Sequence, residues 1–337
     1  MFIRLSLIIG IIGLCFSLCQ PAHAEGSLRE RIKERIAEKR GQNSNRLYEA
    51  NSNITQSGEY NFSIQHGGMA RKYILYVPPS YNQNIPSPVV FAFHGGGGSM
   101  EYMANERYGL KSKADEAGFI VVFPNGYSAF KSGKFATWNA GDCCAGARDK
   151  NIDDVGFIKA VIQKVTQQVN IDKNRIFATG MSNGGMISYR MACELADTFK
   201  AIASVAGTDG TLTCNPQRPI SIMHIHAKDD THVLFNGGAG KDAFKDPSKV
   251  SEFKSVPDTM LKWVALNGCE PQPQRVKSVN GAYCDLYNNC RDGVQVKLCV
   301  TETGGHSWPG GEKRRAKNPP SNVISANDEI WAFFESK

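Results

Sequence analysis

The chain has 337 residues, of which 41% are hydrophobic and 21% charged, and its formal net charge is +7. This composition excludes a largely disordered protein, and the length is sufficient for one large domain with a buried core. The small basic excess lacks the size and clustering of a nucleic-acid-binding surface, so we expect no nucleic-acid partner.

Residues 1–24 have the pattern of a secretory leader. Arg4 precedes a long apolar run, which ends in the small-x-small sequence Ala22-His23-Ala24. We therefore predict cleavage before Glu25 and export of the remaining chain. No later apolar segment has the length needed to cross a bilayer, so we expect no stable membrane insertion.

Residues 25–58 combine a charged segment with a polar linker. Leu28, Ile32 and Ile36 recur at helical spacing among the bases and acids of LRERIKERIAEKR, which predicts a solvated amphipathic helix. Docking to a membrane surface or to a partner is the alternative. The polar stretch 41–58 then leads into a domain that we predict over residues 59–337.

From residue 59 onward, short apolar runs alternate with segments of helical periodicity. The runs predict strands at YNFSIQH, RKYILYVP, PVVFAFH, GFIVVFP, RIFATG, AIASVAG, PISIMHIH and VQVKLCVT, the first two as a hairpin. The periodic segments predict helices at about 101–117, 152–169, 184–196, 257–267 and 324–336. This alternation predicts an α/β fold with a mostly parallel central sheet and helices on both faces.

Ser182 lies in TGMSNGG, between the predicted strand RIFATG and a predicted helix. Gly180 and Gly184 remove side chains where strand and helix approach closely, which permits a sharp turn that presents a serine hydroxyl. Reactive groups also collect at the carboxyl ends of the strands in such sheets. We therefore predict that Ser182 is a nucleophile on a strand-to-helix elbow; a glycine turn with an incidental serine is the alternative.

A serine nucleophile needs a base and an acid that orients the base. The chain reads AKDDTHV after PISIMHIH, which offers Asp229 or Asp230, and ETGGHSWPGG after the last predicted strand, which exposes His306. The order Ser182, Asp, His306 is that of an α/β-hydrolase triad. We favour Asp230 because one more residue clears the strand end, and Asp229 remains the alternative.

The glycine run of FHGGGGSM follows another predicted strand, where backbone N–H groups can face a cleft. We predict that the N–H groups of Gly96 and Asn183 bind an oxyanion, with Gly97 as the alternative to Gly96. His94 is expected to orient this loop by hydrogen bonds. A phosphate-binding loop is excluded because the run lacks the P-loop lysine and the spacing of a dinucleotide fingerprint.

The sequence contains ten cysteines, and eight of them lie after the predicted leader. An even number in an exported chain favours disulfides over a metal site. The sequence does not fix their pairing, but proximity favours Cys284 with Cys290, and Cys269 with Cys299 would tie a helix end to a late strand.

Two further histidines, His224 and His226, share one face of a predicted strand. A zinc site would use such a pair, but packing beside the sheet is the more common arrangement. We therefore expect no metal, and the predicted chemistry needs no organic cofactor.

Five stretches carry a resemblance to a known family: FHGGGGS, WNAGDCCAGARDKNIDDVGFI, GMSNGGMISYRMACELADTFKAIASVAG, RPISIMHIHAKDDTHVLFNGG and GGHSWPGG. They resemble the exported α/β-hydrolase esterases that group polyhydroxybutyrate depolymerase-like proteins with feruloyl and acetylxylan esterases. The resemblance implies Ser182 as nucleophile, Asp230 as acid and His306 as base. The chain departs from the family pattern at Lys228 and Asp229, which keeps Asp229 as an alternative.

The resemblance also implies that Trp138 and Trp308 lie near an acyl-binding cleft and contact substrate, with ordinary core packing as the alternative. It implies a secreted, extracellular or periplasmic serine esterase that acts on feruloyl or acetyl sugar esters or on hydroxyalkanoate oligomers. A non-catalytic binding protein on the same fold and a hydrolase of an anionic polymer are the alternatives.

Overall fold

The computed structural model describes residues 47–48, 53–243, 252–312 and 319–337. The predicted leader and the predicted charged helix lie outside these residues. None of the helices within these ranges combines the length and the apolar character needed to cross a membrane.

The strands of the described residues form one sheet of eleven. They are β1 (Leu47–Tyr48), β2 (Gly58–His66), β3 (Met69–Val77), β4 (Ser87–Phe93), β5 (Ile120–Pro124), β6 (Ile171–Met181), β7 (Ala201–Val205), β8 (Ser221–Ala227), β9 (Gln274–Val279), β10 (Ala282–Tyr287) and β11 (Val296–Thr301). Their spatial order is β1-β2-β3-β5-β4-β6-β7-β8-β11-β10-β9.

The centre of the sheet is parallel and its flanks are mainly antiparallel. Strands β5, β4, β6, β7, β8 and β11 pair in parallel, whereas β3 pairs antiparallel with β2 and β5, and β10 with β9 and β11. Every residue of β4, β5, β7 and β8 is buried, because helices cover both faces of a parallel sheet. The carboxyl ends of the central strands therefore meet at one edge.

Helices pack on the two faces of this sheet. They are α1 (Met100–Met103), α2 (Leu110–Ala117), α3 (Ala145–Asp149), α4 (Asp154–Gln168), α5 (Asn183–Glu194), α6 (Val256–Asn267) and α7 (Ala326–Glu335). Apolar residues of α4, α5 and α6 contribute to one core cluster and those of α1, α2 and α7 to the other. The predicted α/β-hydrolase architecture, with helices on both faces of a mostly parallel sheet, is confirmed.

Three features differ from the sequence-based expectations. The helix expected over 101–117 is two helices, because Gly109 adopts φ +64° between them. Strand β1 lies within the segment expected to be a linker and pairs with β2. The hairpin of β9 and β10 was not predicted because every residue of β9 is exposed, so that its sequence shows no apolar alternation. Its two-residue Asn280-Gly281 turn was the available signal.

Both proposed cysteine pairings are wrong. The disulfides are Cys143–Cys144, Cys193–Cys214, Cys269–Cys290 and Cys284–Cys299. Cys284 and Cys299 are directly opposed in the antiparallel register of β10 and β11. Without β10 in the predicted fold, sequence proximity gave the wrong partner for Cys284.

Peptide mapping of the oxidised protein under non-reducing conditions tests this pairing. We expect linked peptides that contain Cys269 with Cys290 and Cys284 with Cys299. The second pair follows from the register of β10 and β11, which places these two cysteines opposite each other. A reduced and alkylated sample is the control. Recovery of Cys284 linked to Cys290 would contradict the register of β10 and β11.

Candidate active site

Ser182 occupies a strained turn between β6 and α5. Its backbone has φ +56° and ψ −123°, a conformation that non-glycine residues rarely adopt. A methyl group at Gly180 would overlap the backbone of Gly184, and one at Gly184 would overlap the carbonyl oxygen of Phe93. The Ser182 N–H donates to Val205 O at 2.8 Å. Both glycines are thus required for the close approach of α5 to the sheet that presents the Ser182 side chain.

The two candidate aspartates make different contacts. His306 Nδ1 is 2.8 Å from Asp230 Oδ2, whereas Asp229 accepts hydrogen bonds from the backbone N–H groups of Gly305 at 2.8 Å and Gly304 at 3.4 Å. Asp230 therefore contacts His306 itself, whereas Asp229 holds the backbone of the loop that carries His306.

The carboxylate of Asp230 is buried and is surrounded by N–H groups. Its Oδ1 accepts from the backbone N–H groups of His232 at 2.8 Å and Val233 at 3.1 Å, and its Oδ2 lies 2.8 Å from His306 Nδ1 and 3.3 Å from His226 Nε2. Burial by itself would raise the pKa of Asp230, but the hydrogen bonds from His226 and His306 lower it well below its ordinary value. Asp230 is therefore ionised near neutral pH.

A buried chain of hydrogen bonds extends from Asp230 into the core. His226 Nε2 contacts Val233 O at 2.9 Å, His226 Nδ1 contacts His224 Nε2 at 3.0 Å, and His224 Nδ1 contacts the Tyr189 hydroxyl at 2.7 Å. Because Val233 O and Asp230 only accept, His226 Nε2 carries a proton. When His226 is neutral, its Nδ1 accepts from His224 Nε2, and His224 Nδ1 accepts from the Tyr189 hydroxyl.

His224 and Tyr189 remain uncharged near neutral pH. Burial and the neighbouring His226 hold the pKa of His224 well below its ordinary value, and burial and Asp209 raise that of Tyr189. The expectation that His224 and His226 pack beside the sheet holds, but the contact of His226 with Asp230 was not foreseen. The available signal in the sequence was the spacing of His226 and Asp230, which lie four positions apart on either side of the end of β8.

Two groups of metal-ligating residue types occur in the described part of the chain: Asp230 with His232 and His306, and Cys284 with Cys299 and Glu329. The sulfur atoms of the second group are consumed in a disulfide. In the first group, both oxygens of Asp230 already accept N–H bonds.

The two candidate oxyanion donors in the glycine loop after β4, Gly96 and Gly97, differ in their hydrogen bonds. The Gly97 N–H donates to Ala136 O at 2.8 Å, so it is not directed at a ligand. Among the described residues, the Gly96 N–H donates to no protein acceptor. His94 braces this loop: its Nδ1 donates to Gly95 O at 2.8 Å and its Nε2 accepts from Gly126 N at 3.0 Å.

Burial lowers the pKa of His94 to about 4. His94 is therefore a neutral structural residue near neutral pH, in agreement with its expected role.

The two tryptophans occupy different positions. Trp308 lines the cavity that contains Ser182. Trp138 is fully buried and is not part of the cavity lining. Its indole N–H donates to His94 O at 3.0 Å, and its backbone exchanges two hydrogen bonds with the Asn183 side chain. Trp138 thus supports the cavity wall from behind, which corrects the expected substrate contact.

The cavity has a volume of about 480 Å³. It is lined by Gly95, Gly96, Gly97, Gly98, Tyr102, Arg107, Tyr108, Cys144, Met181, Ser182, Asn183, Met186, His232, Val233, Asp242, Ala243, Phe253, His306, Ser307, Trp308, Glu312 and Pro320. One wall, the aromatic wall, consists of Tyr102, Tyr108 and Trp308 in successive edge-to-face contact, with ring centroids 5.8 and 5.5 Å apart. The break between α1 and α2, which was not predicted, brings Tyr108 to this wall.

The comparison with protein families identifies the chain. The family model for esterases matches residues 65–310, which is more than half of the sequence. The chain belongs to the esterase family. Probable feruloyl esterase C of Aspergillus clavatus is 34% identical to this esterase over 271 residues, which cover 78% of this chain and 83% of that protein.

A second relative of the esterase, feruloyl esterase B of Piromyces equi, is 30% identical over 248 residues. The aligned part covers 72% of this chain but 44% of that protein, so the chain spans less than half of that relative's length.

Solved structures agree with the fold of this esterase. Acetyl xylan esterase from Aspergillus awamori matches with a TM-score of 0.54 and 14% identity, covering 82% of this chain and 99% of that one. S-formylglutathione hydrolase from Agrobacterium tumefaciens matches with a TM-score of 0.51 and 14% identity, covering 84% and 97%. At these identities the likeness establishes the α/β-hydrolase fold. By its family, the chain is a carboxylic-ester hydrolase.

The depressed pKa of Asp230 predicts an acid-sensitive contribution to folding. A carboxylate whose pKa is lower in the folded than in the unfolded chain stabilises the fold fully above the unfolded value of about 3.9, and this contribution is lost as the pH falls through the folded value. We expect Asp230→Asn to lower the free energy of unfolding by about 1–3 kcal/mol at pH 6 and to change it less at pH 3. Urea unfolding at pH 6, 4 and 3 measures this difference.

Asp229→Asn is the matched control, since that side chain binds backbone N–H groups and not the histidine. A difference between Asp230→Asn and the wild type that is constant from pH 6 to pH 3 would contradict the depressed pKa.

Proposed function

We propose that the esterase is exported and hydrolyses carboxylic esters through an acyl-enzyme, with Ser182 as nucleophile, His306 as base and Asp230 as the acid that orients the base. The observation that carries this proposal is the 2.8 Å contact between Asp230 Oδ2 and Nδ1 of His306, which lines the same cavity as Ser182 on its strained turn. Because Nδ1 contacts Asp230, the other ring nitrogen, Nε2, is the basic atom of His306.

The proposed reaction follows from these contacts. His306 Nε2 takes the proton of Ser182 Oγ while Oγ attacks the ester carbonyl carbon. The carbon–oxygen bond to the alcohol breaks, the alcohol leaves with the proton from His306, and the acyl group remains on Ser182. Water then loses a proton to His306 and attacks the acyl carbon. The bond between that carbon and Ser182 Oγ breaks, the acid is released, and His306 returns the proton to Oγ.

The N–H groups of Gly96 and Asn183 are the proposed donors to the negatively charged oxygen of the tetrahedral intermediate. Asn183 is the first residue of α5, where the positive end of the helix dipole favours an anion. The commitment of the Gly97 N–H to Ala136 O supports Gly96 as the second donor. The hydrogen bonds that brace Gly95 and Asn183 hold both donors in place before the reaction, which is the condition for their full effect.

We propose feruloyl or acetyl esters of sugars as substrates, and hydroxyalkanoate oligomers as the second choice. The aromatic wall of Tyr102, Tyr108 and Trp308 supports an aromatic acyl group, since aromatic rings favour edge-to-face and stacked contacts. The relatives described above include feruloyl esterases, which supports a feruloyl ester as the substrate.

Export is supported by the leader pattern of residues 1–24 and by the disulfides. Disulfides persist in oxidising compartments and are rare in reducing ones. We propose that the protein acts outside the cytoplasm, in the periplasm or the medium.

Ser182→Ala tests the nucleophile. We expect kcat/KM for methyl ferulate and p-nitrophenyl acetate to fall by about 10⁴-fold or more, because only binding and oxyanion contacts then remain. The variant should unfold at the wild-type urea concentration, and a fluorophosphonate probe should label the wild type alone. Equal hydrolysis by both proteins would overturn the assignment. A wild type inert towards esters and probe would support a non-catalytic binding protein.

Asp230→Asn and Asp229→Asn form a matched pair that tests the acid. We expect Asp230→Asn to lower kcat by about 10³- to 10⁴-fold, because the amide no longer holds the productive tautomer of His306. Asp229→Asn, which affects the hydrogen bonds to the backbone of Gly304 and Gly305, is expected to lower kcat by less than about tenfold. The assignment fails if Asp229→Asn is the more damaging substitution in steady-state assays at pH 7.

A further inference from the structure

The imidazole of His232 stacks on that of His306. The ring centroids are 4.6 Å apart and the ring planes differ by 15°. Both side chains are partly buried and line the cavity that contains Ser182. Among the described residues, His232 is the one whose ring stacks on that of His306. The proposed mechanism nevertheless assigns His232 no role.

The backbone of His232 is fixed by the same contacts that hold Asp230. The His232 N–H donates to Asp230 Oδ1 at 2.8 Å, and its carbonyl accepts from Gly240 N at 2.9 Å. The next residue, Val233, receives the hydrogen bond of His226. The ring of His232 is therefore presented by a rigid loop, as a side chain that selects a ligand should be.

The chemistry determines which part of an ester meets this ring. The leaving alcohol takes its proton from His306, so its oxygen lies against His306 when the carbon–oxygen bond breaks. A cavity-lining ring stacked on His306 is consequently next to the alcohol part of the substrate. The aromatic wall belongs to other segments of the chain: Tyr102 lies in α1, Tyr108 in the loop between α1 and α2, and Trp308 after β11.

The loop after β8 gives the cavity a polar surface at this point. Asp242, which also lines the cavity, accepts from the Thr231 hydroxyl at 2.7 Å beside His232. An imidazole offers both an N–H donor and a nitrogen acceptor, which matches hydroxyl groups that donate and accept. A methyl or other alkyl alcohol has no such groups beyond its ester oxygen.

We propose that His232 is a specificity-determining residue that contacts the leaving alcohol and favours esters of polyhydroxy alcohols over esters of alkyl alcohols. This inference rests on the proposed esterase function and on the role of His306 as the group that protonates the alcohol. The loop after β8 then has two roles: it carries Asp230, the proposed acid, and it places His232 in contact with the leaving alcohol.

The test compares two esters with the same acyl group, a feruloyl ester of arabinose and methyl ferulate. We expect His232→Phe, which keeps a ring stacked on His306, to lower the ratio of kcat/KM for the sugar ester to kcat/KM for the methyl ester by about tenfold or more, since the hydroxyl groups lose their partner. Most of the change should appear in KM for the sugar ester. His232→Gln, which keeps a donor and an acceptor, should restore part of the ratio. His232→Leu, which lacks both, serves as the test should His232→Phe not fold.

Tyr102→Leu is the control on the aromatic wall. Because both substrates carry the same acyl group, this variant should leave the ratio within about twofold of wild type, although it alters both rates. A wild-type ratio in His232→Phe, or in His232→Leu where that variant replaces it, overturns the inference. A wild type that hydrolyses methyl ferulate but not the arabinose ester overturns it too, whereas a wild type inert on both overturns the proposed function and the inference with it.

Discussion

The site depends on the close approach of α5 to the sheet at Gly180 and Gly184. Side chains at these positions would overlap backbone atoms of the elbow and the carbonyl oxygen of Phe93. This approach forces Ser182 into φ +56° and places the first N–H of α5 beside it. A strained residue of this kind costs about 1–3 kcal/mol, which the surrounding fully buried strands must offset. Packing of the buried strands therefore stabilises the strained conformation of Ser182.

The second constraint is the burial of a carboxylate. A charge removed from water is costly unless hydrogen bonds replace its solvation, and Asp230 receives N–H groups from His226, His232, Val233 and His306. Of these donors, the proposed catalytic chemistry needs only His306. The others keep the carboxylate ionised and in place, so that its orientation does not depend on the protonation of His306 during the reaction.

The sequence was informative where a function requires a local pattern. The elbow, the order of Ser182, Asp and His306, and the alternation of strands with helices are all visible in short stretches. The choices between Asp229 and Asp230, and between Gly96 and Gly97, depended on hydrogen bonds to distant segments, namely the loops of His306 and Ala136. No propensity or spacing argument contains those contacts.

The errors have similar physical causes. A resemblance places Trp138 in the neighbourhood of the site, but whether its ring faces the cavity or the core is decided by packing against Phe93 and His94. The stacking of His232 on His306 was likewise invisible, because the two residues belong to loops after different strands. The predicted disulfide pairing was wrong because the hairpin of β9 and β10 was missed, and β9 is exposed along its whole length.

The position of Asp230 relative to His306 depends on the register of two strands. Strands β8 and β11 are parallel neighbours, with Ala227 opposite Thr301, so the loops that carry Asp230 and His306 leave the sheet side by side. The Lys228 N–H donates to Thr301 O at 2.9 Å, which continues the pairing into the loops. On its other edge β11 is held by β10, to which it is joined by the disulfide Cys284–Cys299. A slip of β11 would turn its side chains to the opposite face of the sheet and move the base away from the acid, so the disulfide restrains the same register that brings His306 to Asp230.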